Sequence, residues 1–513
     1  MRTLPSALFF SLFAAGCAEV VTAPSRAADA APDDVTADDV AEEPAPPPGL
    51  VRALPITDVA LFQAVRVPVF ADGAVVAPRP LPIIAGRRAA VRVYVCPGDG
   101  YTPVSVDAEL TVRNGAARSV VRDRKFIDRA SRDEAPSSVF TFALPDEAVG
   151  PDARLSVRLL APGGAAEVAG AEHPARFPAD GGEHAIRAVD GGPVEVTLVP
   201  FRWDADGSGR LPDTSQLQVE DLRALLRAMY PVREVRVDIR EPVPWTGGLL
   251  RDGNVDFGAL LSRIRALRSS DAAPAGRYYY AMVAPAESRQ DYCGGRCVLG
   301  QAYLPSGPMD ARGRVASGVG FGGEGDVNTF AHEIGHSHGR MHAPCGGPAG
   351  IDPEFPNEEG EAGAWGYDER RRAFVSPRVF DFMGYCRPEW VSAYTYGALW
   401  DWILDVNGVV APRGLGAPDV AGPPVPHRIL RYGEGMAPEW LDALDERAVT
   451  EGDVTLRWLD AAGRVVQRAA AHADALADRD ETHVLVPEGP PEARSLELTS
   501  RGVTRHIALP PRR

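Results

Sequence analysis

The sequence predicts an α+β protein in which one mixed domain of helices and strands lies between two β-rich domains. Three observations predict it. At 513 residues the chain is too long for a single compact core, so several domains are expected. Residues 51–185 and 425–513 carry short alternating or apolar runs broken by Gly, Pro and Asp, the pattern of β-sandwiches. Residues 190–410 instead alternate strand-like and helix-like stretches.

The elements follow in chain order. Arg2 gives a short positive start, a mostly apolar run reaches Ala15, and Ala14, Ala15 and Gly16 lead into Cys17. The run is too short for a permanent membrane span and suits a secretory signal. Residues 1–17 resemble a bacterial lipobox signal, although Ala14 stands where leucine is usual, so Cys17 is the expected lipidation site. Ordinary secretion of a soluble chain is the alternative. Residues 18–50 are rich in Ala, Pro, Asp and Glu and are read as a disordered acidic tether. In the first β-rich region, residues 64–69, 90–95 and 155–159 are clear strand patterns; a spacer domain is favoured there over a substrate-presenting or removable prodomain-like module.

In the middle region, strands are expected over 194–200, 235–239, 278–283 and 298–304. A helix is expected over 216–229, with Leu222, Leu225, Leu226 and Met229 on one side and Thr214 and Ser215 as caps. Further helices are read over 257–267, 330–337 and 390–402, with a Gly- and Pro-rich acidic insert over 346–361. The last region shows strands over 454–458, 484–486 and 496–498 and a hairpin turn at 460–463.

Composition narrows the partners. Apolar residues make up 45 % and charged residues 24 %, as in an ordinary folded protein. A formal charge of −16 argues against nucleic acid and offers no basic patch to anionic lipid. No later stretch reaches 18 consecutive apolar residues, so membrane contact is expected only through an anchor at Cys17. The loop around Asp204 and Asp206 superficially resembles a calcium loop. Ser215 stands where such a loop needs its glutamate, so the stretch is read as a turn and calcium as weakly supported.

The chemistry concentrates in residues 332–342. His332 and His336 are four apart, which on a helix puts both imidazoles on one face, able to grip one metal ion. Glu333 lies about 100° round the helix from the first histidine, where a carboxylate can reach a metal-activated water. Gly339 suits a left-handed residue that ends the helix, so the chain can turn and return His342 as a third ligand. Three nitrogens leave the fourth tetrahedral position open, the arrangement of a catalytic zinc site. His338 stands at a non-ligand position and is expected in solvent or behind the ligands.

The whole pattern, His332, Glu333, His336, Gly339 and His342, resembles the metzincin metalloproteases. Downstream, Met383 looks like the methionine turn of that clan, a soft apolar floor beneath the histidines. Tyr385, two residues on, matches a tyrosine that some of its families place near the metal, where it can hydrogen-bond the oxyanion. Gly300, Gln301 and Ala302 resemble the edge strand that pairs with an extended substrate, though an ordinary strand is nearly as good a reading. Trp390 and Tyr394 are expected to shape the pocket beyond the metal. The resemblance covers about 220 residues and leaves the flanking domains unassigned.

With a resemblance of that kind, Cys345 and Cys386 should meet beneath the site; their bridge would close about 40 residues. Cys293 and Cys297 are candidates for a small loop, and Cys96 is expected to be a buried free thiol. The implied activity is zinc-dependent hydrolysis of peptide bonds in extracellular or periplasmic proteins. Two other functions stay open: a non-catalytic, adhesin-like surface lipoprotein, and a zinc hydrolase of cell-wall peptides.

Overall fold

The computed structural model describes residues 48–168, 171–294, 297–408 and 420–510. The expected signal and tether, including Cys17, lie outside the described residues. The chain forms two compact units, one of residues up to Val189 without Gln63–Arg66, the other of Gln63–Arg66 together with Asp190 onward. The structure is α+β and mostly β, with several separate sheets.

The first unit contains two sheets, with long antiparallel pairings such as Val104–Asn114 against Ala117–Ile127. Strand Ala89–Val95 is buried at every position, and Ala117–Ile127 alternates exposed and part-buried residues. Cys96 differs from expectation: it is disulfide-bonded, and none of the described cysteines is free.

The second unit is organised by a six-stranded mixed sheet. Val194–Trp203 pairs in parallel with Val235–Ile239, Val243–Trp245 and Arg277–Val283; the last pairs in parallel with Val315–Val319. Gly300–Ala302 runs antiparallel to Val315–Val319 as the last strand on that side. Burial explains the apolar runs: Val196, Leu198, Val199 and Phe201 are all fully covered. Three helices accompany the sheet, Gln216–Met229, Phe257–Ser270 and Glu324–Ser337. In the first, Ser215 Oγ accepts the Gln218 N–H as its cap, and Leu222, Leu225, Leu226 and Met229 are buried as the spacing predicts. Each such side chain contributes about 1.5–3 kcal/mol of apolar burial.

The third helix begins at Glu324, earlier than the expected 330–337. No side chain at its cap position signals that start. The Gly322 N–H is taken by Asp326 Oδ2 at 2.6 Å, and the Gly323 N–H by Gln218 Oε1 at 2.9 Å. The cap thus comes from one residue inside the helix and one on another helix. The closing helix is Ala393–Val406, capped by Ser392, and Trp390 precedes it in a short strand.

From Val420 two four-stranded sheets share one core of Leu430, Val454, Leu456, Trp458, Val484, Val486, Leu496 and Leu498. These residues belong to the same compact unit as the mixed sheet. Buried polar contacts hold them there. Arg265 donates to Asp474 Oδ2 at 2.8 Å, and Arg431 to Asp256 Oδ1 at 2.7 Å. His483 faces Glu481 at 2.8 Å through Nε2, leaving Nδ1 to accept from the Tyr303 hydroxyl at 2.5 Å. Among the described residues no helix is long and apolar enough to cross a membrane.

Candidate metal centre

Helix Glu324–Ser337 carries His332, Glu333 and His336 and stops at Gly339, whose φ is +72°. A Cβ there would also lie 2.4 Å from the Trp402 ring, so glycine answers both the turn and the close approach. The Gly339 N–H bonds His336 O and the Arg340 N–H bonds Gly335 O, closing the helix end. The chain then returns through His342, which pairs with Ile351 in an isolated bridge.

The three histidines converge. His336 Nε2 lies 3.1 Å from His332 Nε2 and 3.2 Å from His342 Nε2. Each Nδ1 faces a backbone carbonyl: Phe382 O at 2.8 Å, Arg340 O at 2.6 Å and Ala349 O at 2.5 Å respectively for His332, His336 and His342. A carbonyl accepts only, so each Nδ1 carries the ring proton and each Nε2 turns a lone pair inward. Burial drives the His332 imidazole down to about 4 and His336 well below its usual range, keeping both neutral. Lone pairs aimed at one point repel unless a cation lies between them. Ligands of a tetrahedral zinc stand about 3.3 Å apart, close to the spacing found, so the residues fit a metal ion.

Glu333 is buried beside them. Burial, and then the Asp478 carboxylate, push it well above the usual carboxylate range. Its Oε2 has no partner, and a Cβ at Gly300 would lie 2.6 Å from its Oε1. The edge strand therefore passes directly over this carboxylate, and Gly300 is the residue that lets it do so. Met383 lies under the helix: a Cβ on Gly335 would stand 2.4 Å from its sulfur. The turn that places Met383 is tied by Asp381, which accepts from the Met383 N–H at 2.8 Å and the Ser392 N–H at 2.9 Å. Sequence reasoning did not single out Asp381; its position two residues before the methionine was the available signal.

Cys345 is bonded to Cys386, and Cys293 to Cys297. The first bridge joins the segment after His342 to the segment after Met383, and the Tyr385 N–H donates to Cys345 O at 2.9 Å. Tyr385 is half-exposed, and its ring centroid lies 5.1 Å from that of His342. A cleft of about 350 Å³ opens beside the histidines, lined by Val298, Leu299, Gly300, Thr329, Tyr385 and Arg387 among others.

Several expectations are corrected. Trp390 and Tyr394 do not line this cleft; Trp390 is buried and donates to Ala64 O, and the Tyr394 hydroxyl donates to Asp352. His338 is not in solvent. It is fully buried, stacked on Tyr278 at 4.4 Å and edge-on to Tyr230, because its place on the helix faces the sheet. The loop around Asp204 and Asp206 is a turn, as read from the sequence, and its carboxylates are engaged, Asp204 by Arg202 and Asp206 by Arg210.

One residue at the centre was missed altogether. Asp478 Oδ1 lies 2.9 Å from His342 Nε2, and its Oδ2 lies 3.9 Å from His336 Nε2. The Tyr385 hydroxyl donates to the same Oδ1 at 2.6 Å. His332, His336, His342 and Asp478 are the one cluster among the described residues that brings four such ligand atoms within 4.8 Å of one another. Asp478 is 93 residues from Tyr385 in sequence, and no spacing rule links them.

Residues 307–387 match the family model described as Peptidase M66. That span contains His332, Glu333, His336, His342, Met383 and Tyr385 and supports a metallopeptidase. No curated protein matches the chain. Among solved structures, one described as a "putative beta-galactosidase" of Bacteroides fragilis aligns over 89 % of this chain and 73 % of that one, with 10 % identity and a TM-score of 0.14. A likeness that slight carries no argument.

Proposed function

We propose that the protein is a zinc-dependent endopeptidase with a metzincin-like site. The observation that carries this reading is the convergence of three inward Nε2 atoms beside a buried, unpartnered glutamate under an edge strand. His332, His336 and His342 would hold the ion. When bound, zinc supplies Lewis-acid polarisation of the scissile carbonyl and of a water.

The residues do the rest. Glu333 is held where no other group claims its Oε2, so it can take a proton from the attacking water and return it to the leaving amine. Burial raises its affinity for protons, and a cation held by the adjacent histidines would draw it back toward the ionised form a general base needs. The Tyr385 hydroxyl, on the rim of the cleft, can donate to the oxyanion once it is released from Asp478. Gly300 and its neighbours offer backbone pairing to an extended peptide, which gives affinity without demanding a sequence. The two disulfides support a site that works outside the cytoplasm on exported or extracellular protein.

The test is hydrolysis of a quenched peptide library by the zinc-loaded chain and by its Glu333→Gln variant, with zinc content measured in both. Zinc should be retained and hydrolysis should fall about a thousandfold or more. Bound zinc without hydrolysis of any peptide, even after Asp478 is replaced, would exclude the endopeptidase reading.

A further inference from the structure

We infer that the protein closes its own metal site, with Asp478 as the fourth ligand and residues 475–477 paired as a built-in peptide to the edge strand beside the cleft. The inference rests on the metal-site reading above and adds its regulation.

The first observation is the strand pairing. The Leu304 N–H donates to Ala475 O at 3.2 Å, the Ala477 N–H donates to Ala302 O at 3.0 Å, and Tyr303 faces Leu476 in an antiparallel bridge. These are backbone groups on the outer side of the edge strand, the ones an extended peptide would use. Residues 475–477 therefore occupy the half of the edge beyond Gln301. The open cleft lies on the other half, along Val298, Leu299 and Gly300. A substrate spanning the metal must displace them.

The second observation is the carboxylate at the end of that strand. His342 Nδ1 spends its proton on Ala349 O, so Nε2 meets Asp478 Oδ1 as lone pair against lone pair at 2.9 Å. A cation shared by both atoms resolves that contact. The Asp478 side chain is nine-tenths buried, and its Oδ2 has no hydrogen-bond partner. An anionic oxygen in that position satisfies the fourth tetrahedral site that three histidines leave open, and it removes the place where water would bind.

The third observation is how firmly the segment is held. Leu476 is buried in the apolar core of the mixed sheet, with Tyr303, Phe257 and Leu261. Asp474, four residues before Asp478, is paired with Arg265, both almost fully buried. The Tyr385 hydroxyl, on the rim of the cleft, is taken up by Asp478. The C-terminal sheets thus deliver one short strand and one carboxylate to the metal centre and engage a residue proposed for the oxyanion.

The experiment uses the full chain loaded with cobalt(II), comparing wild type, Asp478→Ala and Ala477→Pro. The last keeps the carboxylate and removes the N–H that bonds Ala302. Azide is the probe for an open coordination position, read from the visible cobalt spectrum, and metal loss to a chelator is timed. The wild-type spectrum should ignore azide. Both variants should respond to it, and Asp478→Ala should lose metal about tenfold faster. Asp478→Asn, nearly isosteric, serves if the alanine variant fails to fold. An azide response in wild type equal to that of the variants, with equal rates of metal loss, overturns the closure. The two readings separate: altered spectra without peptide hydrolysis in any variant would sink the protease, whereas equal hydrolysis with identical spectra would sink the closure.

Discussion

The histidine helix with its methionine turn and the segment at residues 473–478 meet at one point, yet they reach it by opposite means. In the first region each ligand is placed by rules acting over a few residues: the helical period aligns His332 with His336, and a glycine with positive φ returns His342. In the second, Asp478 is placed by strand pairing with Tyr303 and by a buried ion pair between Arg265 and Asp474. Local geometry builds the metal site, and tertiary docking decides whether it is open.

That contrast can be broken from either side. Asp474→Ala leaves the Arg265 guanidinium buried without its carboxylate, which costs about 3–5 kcal/mol. Thermal unfolding should show that loss, and azide access to the cobalt-loaded site should rise with it. If stability falls and access stays unchanged, the docking does not govern the site. Replacing Cys345 and Cys386 together by serine attacks the local side. The bridge spans 41 residues, and its loss should cost about 4 kcal/mol in chain-entropy terms while Asp478 stays docked. Denaturant unfolding would measure it, with a lower midpoint and a steeper slope as the unfolded chain loses its crosslink. The smallest effect belongs to Ser215→Ala, which removes only the cap of helix Gln216–Met229. It should cost about 1 kcal/mol and leave metal release untouched.

Much of the local side was legible in the sequence. The positions of His332, Glu333, His336 and His342 follow from a spacing, and the helix Gln216–Met229 announced itself through its apolar side and Ser215. The start of the histidine helix was not legible, because Gln218 caps it from another helix and no cap residue precedes Glu324. His338 was read only as a non-ligand, in solvent or behind the ligands, because the motif says which positions bind metal, not which face the sheet; there, Tyr278 and Tyr230 enclose it. Trp390 was drawn toward the cleft by its nearness in sequence to the methionine turn, whereas its indole is committed to Ala64 O. Asp478 had no signal at all. Nothing in the sequence marks it out from its neighbours Asp474 and Asp480 in the stretch after His472, and only the pairing of that stretch with the edge strand turns it inward.

In the proposed function, His332, His336 and His342 hold a metal with which Glu333 does proton-transfer chemistry on a peptide bond. It is tested most directly with the site opened, by comparing Asp478→Ala with the double variant Asp478→Ala, Glu333→Gln. Zinc per chain and the hydrolysis rate of one quenched peptide would be measured on the same samples. One zinc per chain is expected in both, with a rate lower by about a thousandfold or more in the double variant. Equal rates at equal zinc content would contradict it.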